Sequence, residues 1–190
     1  MLIDRRFVIA APLALLATRA AGGPRRANWA LIPGQTEVKF TYSLNGAPVT
    51  GRMAALSADL EINLDRLPQS SVEVVLDAAH ADAGMPFARS AMLSEAVLDA
   101  ARNPTITFVS TRVAGAPSAA DVDGDLTMRG TTRPVTFGGR VNSAAGVDDL
   151  SQIVVTLNGG ISRANFGSTG YADLVGDRVD FTVRARLRRV

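Results

Sequence analysis

Glu37-Val38-Lys39-Phe40-Thr41-Tyr42-Ser43-Leu44-Asn45-Gly46 is the stretch that decides the fold. Val38, Phe40, Tyr42 and Leu44 alternate with Glu37, Lys39, Thr41 and Ser43. Successive side chains of an extended strand point to opposite faces, so this segment has one buried face and one wet face. Asn45-Gly46 follows, a pair that tolerates positive φ at both positions and so favours a two-residue hairpin turn. The chain then returns through Val49-Thr-Gly-Arg-Met-Ala-Ala55.

Outward from that hairpin the period of two recurs. Leu60, Ile62 and Leu64 alternate with acidic residues and Asn63, and Val72, Val74 and Leu76 follow the same rule. Ile106 and Phe108 sit among threonines; Val122, Gly124, Leu126 and Met128 alternate with Asp121, Asp123, Asp125 and Thr127. Val135 and Phe137, then Ile153, Val155 and Leu157, and last Val179, Phe181, Val183, Ala185 and Leu187 complete the set. Eight or nine such strands predict an antiparallel all-β domain, a closed barrel or a sandwich, because either arrangement hides sheet edges. The outward positions carry Asp, Glu and Arg, which lipid would reject, so the strands do not read as an outer-membrane barrel.

One stretch departs from the pattern. Pro86 to Ala101 holds Phe87, Ala91, Met92, Leu93, Val97 and Leu98 among helix-tolerant residues. Pro86 suits a first helical turn, and Asn103-Pro104 ends the element. One or two short helices across a barrel end are expected here.

The N-terminal region reads as a targeting segment. Arg5-Arg6 precede the apolar run Phe7–Leu16 and the small residues Ala20-Ala21-Gly22, the order of a secretory signal peptide. Residues 1–22 are therefore expected to be a signal peptide, 23–190 the barrel domain, and the destination the periplasm. The adjacent arginines leave the twin-arginine route open.

Charge narrows the partners. The chain has 20 basic and 18 acidic residues; removing Arg5, Arg6, Arg19 and Asp4 leaves 17 of each. A neutral domain lacks the basic surface that nucleic-acid binding requires. Arg184, Arg186, Arg188 and Arg189 read either as a solvated strand face or as a transient contact with an anionic membrane.

Chemistry-bearing residues are few. With no cysteine there is no thiolate nucleophile or cysteine metal site. His80 is the sole histidine, and no Gly-x-Ser-x-Gly turn accompanies it. Asp121-Val-Asp-Gly-Asp125 looks like part of a calcium loop, yet it lacks the downstream Glu and runs into an alternating strand. No metal, no cofactor and no enzymatic activity are expected.

What remains is the interior. Candidate lumen residues are Phe40, Tyr42, Met53, Leu76, Phe108, Leu126, Met128, Phe137 and Phe181, with Met85, Phe87 and Met92 at the helical lid. An eight-stranded barrel is wide enough either to fill itself or to hold one slender ligand. The residues alone leave both open.

A family resemblance bears on that choice. Gly124-Asp-Leu-Thr-Met-Arg-Gly-Thr-Thr-Arg-Pro-Val-Thr-Phe137 resembles the Gly-x-Leu-Thr-x-x-Gly-x-Thr-x-Pro-Val strand–turn–strand of the YceI-like family of bacterial periplasmic proteins. Asn103–Thr111 is similar to its Pro-x-Ile-x-Phe-x-Ser segment, Ile161–Gly167 to its Arg-x-x-Phe-Gly element, and Val175–Val179 to its last hairpin. The likeness runs from Trp29 to the C-terminus. It implies a lipocalin-like, eight-stranded antiparallel barrel with a helical segment, binding an isoprenoid quinone, a polyprenyl chain or a similar lipid in its lumen. The chain departs from the family at Gln35-Thr36, where His-Ser is common, and at His80, where Ser is usual; residues 87–99 match loosely. Arg129 and Arg163 lie in two of the motifs and read either as partners of a polar head group or as braces for turns. The alternative function is an envelope stress or interaction module with a packed barrel, in either case a monomer or homodimer.

Overall fold

The structure, a computed structural model, describes residues 26–144, 146 and 150–190; the expected signal segment lies outside them. Through the described residues run nine strands: β1 (Arg26–Leu44), β2 (Ala47–Met53), β3 (Ala55–Asn63), β4 (Ser71–Asp77), β5 (Thr105–Ala116), β6 (Ala119–Met128), β7 (Thr131–Ser143), β8 (Gln152–Ser162) and β9 (Val175–Arg189). Every pairing between them is antiparallel, and β1 pairs with β9, which closes the sheet. β1 is long enough to pair with β2 through residues 38–44 and with β3 through residues 26–29. Only Ala54 separates β2 from β3. The two form one bent stave, and the barrel has the expected eight.

Local chemistry explains the staves. At the β1–β2 hairpin Asn45 and Gly46 have φ of 51° and 82°, and Leu44 faces Ala47. Both central residues are left-handed, as a turn matching the strand twist requires. Arg129 and Gly130 repeat this between β6 and β7, with φ of 54° and 70°. Within β1 the inward parity changes: Trp29 is buried before an irregularity at Leu31/Thr36, and Val38 and Phe40 are buried after it. Across it β1 advances from residue 31 to 36 while β9 moves only from 187 to 185, and such an odd offset turns every later side chain to the opposite face.

The outer face is polar, as the alternation predicts. Asp123 meets Arg112 at 3.1 Å and accepts a hydrogen bond from the Thr136 hydroxyl at 2.7 Å. Its pKa is lowered, chiefly by the Thr136 bond, with Arg112 adding to the effect against a smaller rise from burial. Asp121 and Asp125 are exposed on the same strand. Among the described residues no cluster of three potential metal ligands occurs.

Two apolar clusters fill the barrel. At one end Trp29, Leu60, Ile62, Ile153, Ala185 and Leu187 pack together, and the Trp29 indole donates to the Ile62 carbonyl at 3.3 Å. The second cluster gathers Phe40, Phe108, Phe137 and Phe181 and continues toward the residues of the 78–101 segment. That segment holds one helix, α1 (Ala88–Leu93), and then turns. The helix ends because Ser94 is extended and its hydroxyl donates back to the Ala91 carbonyl at 2.7 Å. Asp99, at φ 48°, keeps the following residues from resuming it.

Candidate functional site

β2 has β1 on one side and no strand on the other; the 78–85 segment takes that place. Arg52 and Asp82 exchange backbone hydrogen bonds of 2.8 and 2.9 Å. The Tyr42 hydroxyl donates to the Ala83 carbonyl at 2.9 Å, and its pKa is raised, first by burial and then by the Asp82 charge. These bonds fix the base of a lid formed by residues 85–101. Beside the lid stands the segment 163–176, a loop that begins with a 3-10 turn at Arg163–Phe166 and runs into the first two residues of β9. The Gly170 amide donates to the Ala96 carbonyl at 2.8 Å, linking loop to lid.

Between lid and loop opens a cavity of about 330 Å³. Its wall is formed by Phe40, Tyr42, Leu44, Met53, Met128, Ile161, Val179 and Phe181 from the strands. The lid adds Met85, Phe87, Ala88, Ala91, Met92, Val97 and Leu98. Arg163, Ser168, Tyr171, Leu174 and Val175 complete it from the loop. The wall is overwhelmingly apolar, and the size lies within the range of small-molecule sites. At the mouth, Phe87 is 93% exposed, and Met85, Tyr171 and Leu174 are exposed beside the same cavity.

Arg163 is the buried charge of this site, with 5% of its surface exposed. Its Nε donates to the Gly176 carbonyl at 3.1 Å and its Nη2 to Val175 at 3.0 Å. Nη1 donates to Ser168 at 3.0 Å and to Gly170 at 2.8 Å. Four of the five guanidinium N–H groups are thus accounted for by main-chain carbonyls of one loop. Burial lowers the pKa of Arg163, and the Asp177 charge opposes that shift. Asp177 in turn accepts the Ala164 amide at 2.9 Å. Its own pKa is lowered, first by a hydrogen bond from Ser162 and then by that amide.

Most of the residues expected in the lumen meet here. Phe40, Tyr42, Met53, Met85, Phe87, Met92, Met128, Phe181 and Arg163 lie on the cavity wall. Phe108, Leu126 and Phe137 are buried in the core beneath it, and Leu76 packs partly buried against that core. Arg129 stands behind the wall, donating to the carbonyls of Gly167 at 2.7 Å and Glu95 at 2.6 Å. It ties lid to loop, the bracing role. His80 is exposed and away from the cavity, its Nδ1 2.8 Å from Asp77 Oδ2. Burial raises the Asp77 pKa, but the main-chain and ring hydrogen bonds from His80 outweigh this and leave it lowered.

Sequence reading missed Leu44, Ile161 and Val179, although each continues an alternating strand. It also missed Ser168, Tyr171 and Leu174, which belong to a loop with no period to read.

The YceI-like domain model matches residues 29–187. A UPF0312 protein of Vibrio vulnificus is 33% identical over 90 residues, 47% of this chain and 48% of that protein. One from Vibrio parahaemolyticus is 29% identical over 136 residues, 66% and 70% of the two chains. The chain thus spans about half the length of the curated relatives it matches first. Among solved structures, Burkholderia cenocepacia BcnA is similar with a TM-score of 0.74 and 21% identity, over 83% of this chain and 99% of that one. A polyisoprenoid binding domain from Saccharophagus degradans gives 0.61 and 13%, over 86% and 99%. At these identities the two structures speak for the fold alone. The matched domain takes in every stave of the barrel and both motif arginines, and on that ground this chain belongs to the YceI-like family.

Proposed function

We propose that this protein binds an isoprenoid quinone, a polyprenyl compound or a comparable long-chain lipid non-covalently in its barrel, in the periplasm, after removal of residues 1–22. The observation that carries this reading is the apolar cavity of about 330 Å³ that opens between lid and loop. A space of that size weighs against a fully packed interaction module. Burying an apolar chain there gains roughly 25 cal/mol per Å² removed from water.

The polar groups favour one orientation. Arg163, Ser168 and Tyr171 all come from the loop at the mouth, so the head group rests there and the tail runs inward. The fifth N–H of Arg163 is the donor for that head group; Arg129 braces the frame. The exposed apolar rim of Phe87, Met85, Tyr171 and Leu174 is suited to brief contact with a membrane from which such a ligand is taken. Binding, not catalysis, is the proposed activity, and His80→Ala is expected to leave it intact.

The test is to fill the cavity. Val179 lies on its wall, and Val179→Trp introduces a side chain that competes for the same space. Displacement of a fluorescent fatty acid or prenyl probe should weaken at least about tenfold while the melting temperature holds. Unchanged binding in a folded V179W protein would place the ligand elsewhere and end this reading.

A further inference from the structure

We propose that a belt of phenyl rings divides the lumen and sets how much of the ligand's chain can enter. This deepens, and rests on, the lipid-binding reading. Below the mouth cavity lies a second apolar chamber of about 100 Å³, whose wall includes Val38, Val122, Leu157 and Val183. The boundary is sharpest on the two neighbouring staves β1 and β9. On β1 it separates Phe40, on the upper wall, from Val38 on the lower; on β9 it separates Phe181 from Val183.

Phe40 and Phe181 are directly opposite in register. The Phe181 ring is 6.3 Å from Phe137, edge to face, and Phe137 is 5.4 Å from Phe108 in the same manner. Such edge-to-face pairs hold one another in place. Three of the rings lie over glycines. A Cβ at Gly51 would overlap Phe40; one at Gly124 would come within 2.5 Å of Phe108, and one at Gly159 within 2.5 Å of Phe137. The glycines on β2, β6 and β8 thus make room for the rings to lie across the lumen. The four phenylalanines come from β1, β5, β7 and β9, so together they cross the barrel.

At about 30 Å³ per water-sized group, the mouth cavity of about 330 Å³ takes about two five-carbon units, a third reaching out through the open mouth. The tail then meets the belt. A longer chain turns back at the belt and leaves its remainder outside the mouth, and the lower chamber stays empty of it.

The experiment titrates the mature protein with geraniol, farnesol and geranylgeraniol, which carry two, three and four isoprene units. Affinity should rise from geraniol to farnesol and then level, with geranylgeraniol within about threefold of farnesol. In Phe137→Ala/Phe181→Ala the level should move outward, geranylgeraniol gaining at least about tenfold over farnesol. Should the double variant not fold, NMR contacts in the wild-type protein decide the matter. Val179 and Val183 are about 13 Å apart along β9, and bound prenyl methyls should contact the first and not the second. Contacts to Val183, a steady gain through geranylgeraniol, or a folded variant with the wild-type profile would overturn the belt and leave lipid binding standing. If no prenyl alcohol binds the wild-type protein, both readings fall together.

Discussion

Arg163→Met removes every donor of the buried guanidinium while keeping a flexible side chain that retains the length of the aliphatic stem. Four main-chain carbonyls, of Ser168, Gly170, Val175 and Gly176, lose their partner. Hydrogen bonds to a charged group contribute about 1.5–3 kcal/mol each, so the four together stabilise by roughly 6–12 kcal/mol before other terms. Against this stands the desolvation of a buried cation, several kcal/mol. Part of the remainder returns when the loop opens and its carbonyls reach water. A net loss of about 3 kcal/mol follows, within the range of broken buried networks. For a domain of this size that is a fall of roughly 6–12 °C in melting temperature. Urea titration measures the loss, and amide exchange locates it: protection should drop first in residues 163–176. Arg163→Lys should recover less than half, because one ammonium cannot reach four carbonyls arranged around a planar fork. A Met variant within about 1 kcal/mol of the wild type, with unchanged exchange in that loop, would refute this account of the mouth.

Two further outcomes follow from the geometry. Gly159→Ala puts a methyl within 2.5 Å of the Phe137 ring and 3.1 Å of the Thr136 carbonyl, and should cost about 1–3 kcal/mol through overpacking, read by urea unfolding. A stability unchanged by that substitution would mean that the ring is not held against the strand. Asp177 has a folded-state pKa below its ordinary 3.8, so the stability it confers is complete above that value and is lost as pH falls through the lower folded one. Asp177→Asn should therefore be the weaker protein at neutral pH by about 0.5 kcal/mol, small because the side chain is exposed. The difference should vanish in melts near pH 2; a constant gap across that range would contradict the assignment.

The residues of Glu37–Leu44 made the barrel legible because each strand has one wet face, which forces a period of two. Closure was not legible that way. It depends on β1 meeting β9, some 140 residues later, and periodicity carries no record of partners. The bent stave was hidden for a related reason, since Ala54 interrupts pairing without any Gly or Pro to mark it. Phe40, Phe108, Phe137 and Phe181 could each be assigned to the interior, yet their common level is set by register around the barrel. Gly51, Gly124 and Gly159 carry no signal of their own in the alternation, because the rings they accommodate belong to other strands. The family motifs singled out Arg129 and Arg163 as a pair. Both donate to main-chain carbonyls, and only their place relative to the cavity separates them, Arg129 behind the wall and Arg163 on it.

The central claim is that the barrel carries a lipid. Native mass spectrometry of protein purified from the producing cells, repeated after organic extraction and after incubation with farnesol, tests it most directly. The account predicts a non-covalent adduct of a few hundred daltons or more that extraction removes, and one-to-one uptake of farnesol by the emptied protein. A single apoprotein mass in all three samples would contradict it.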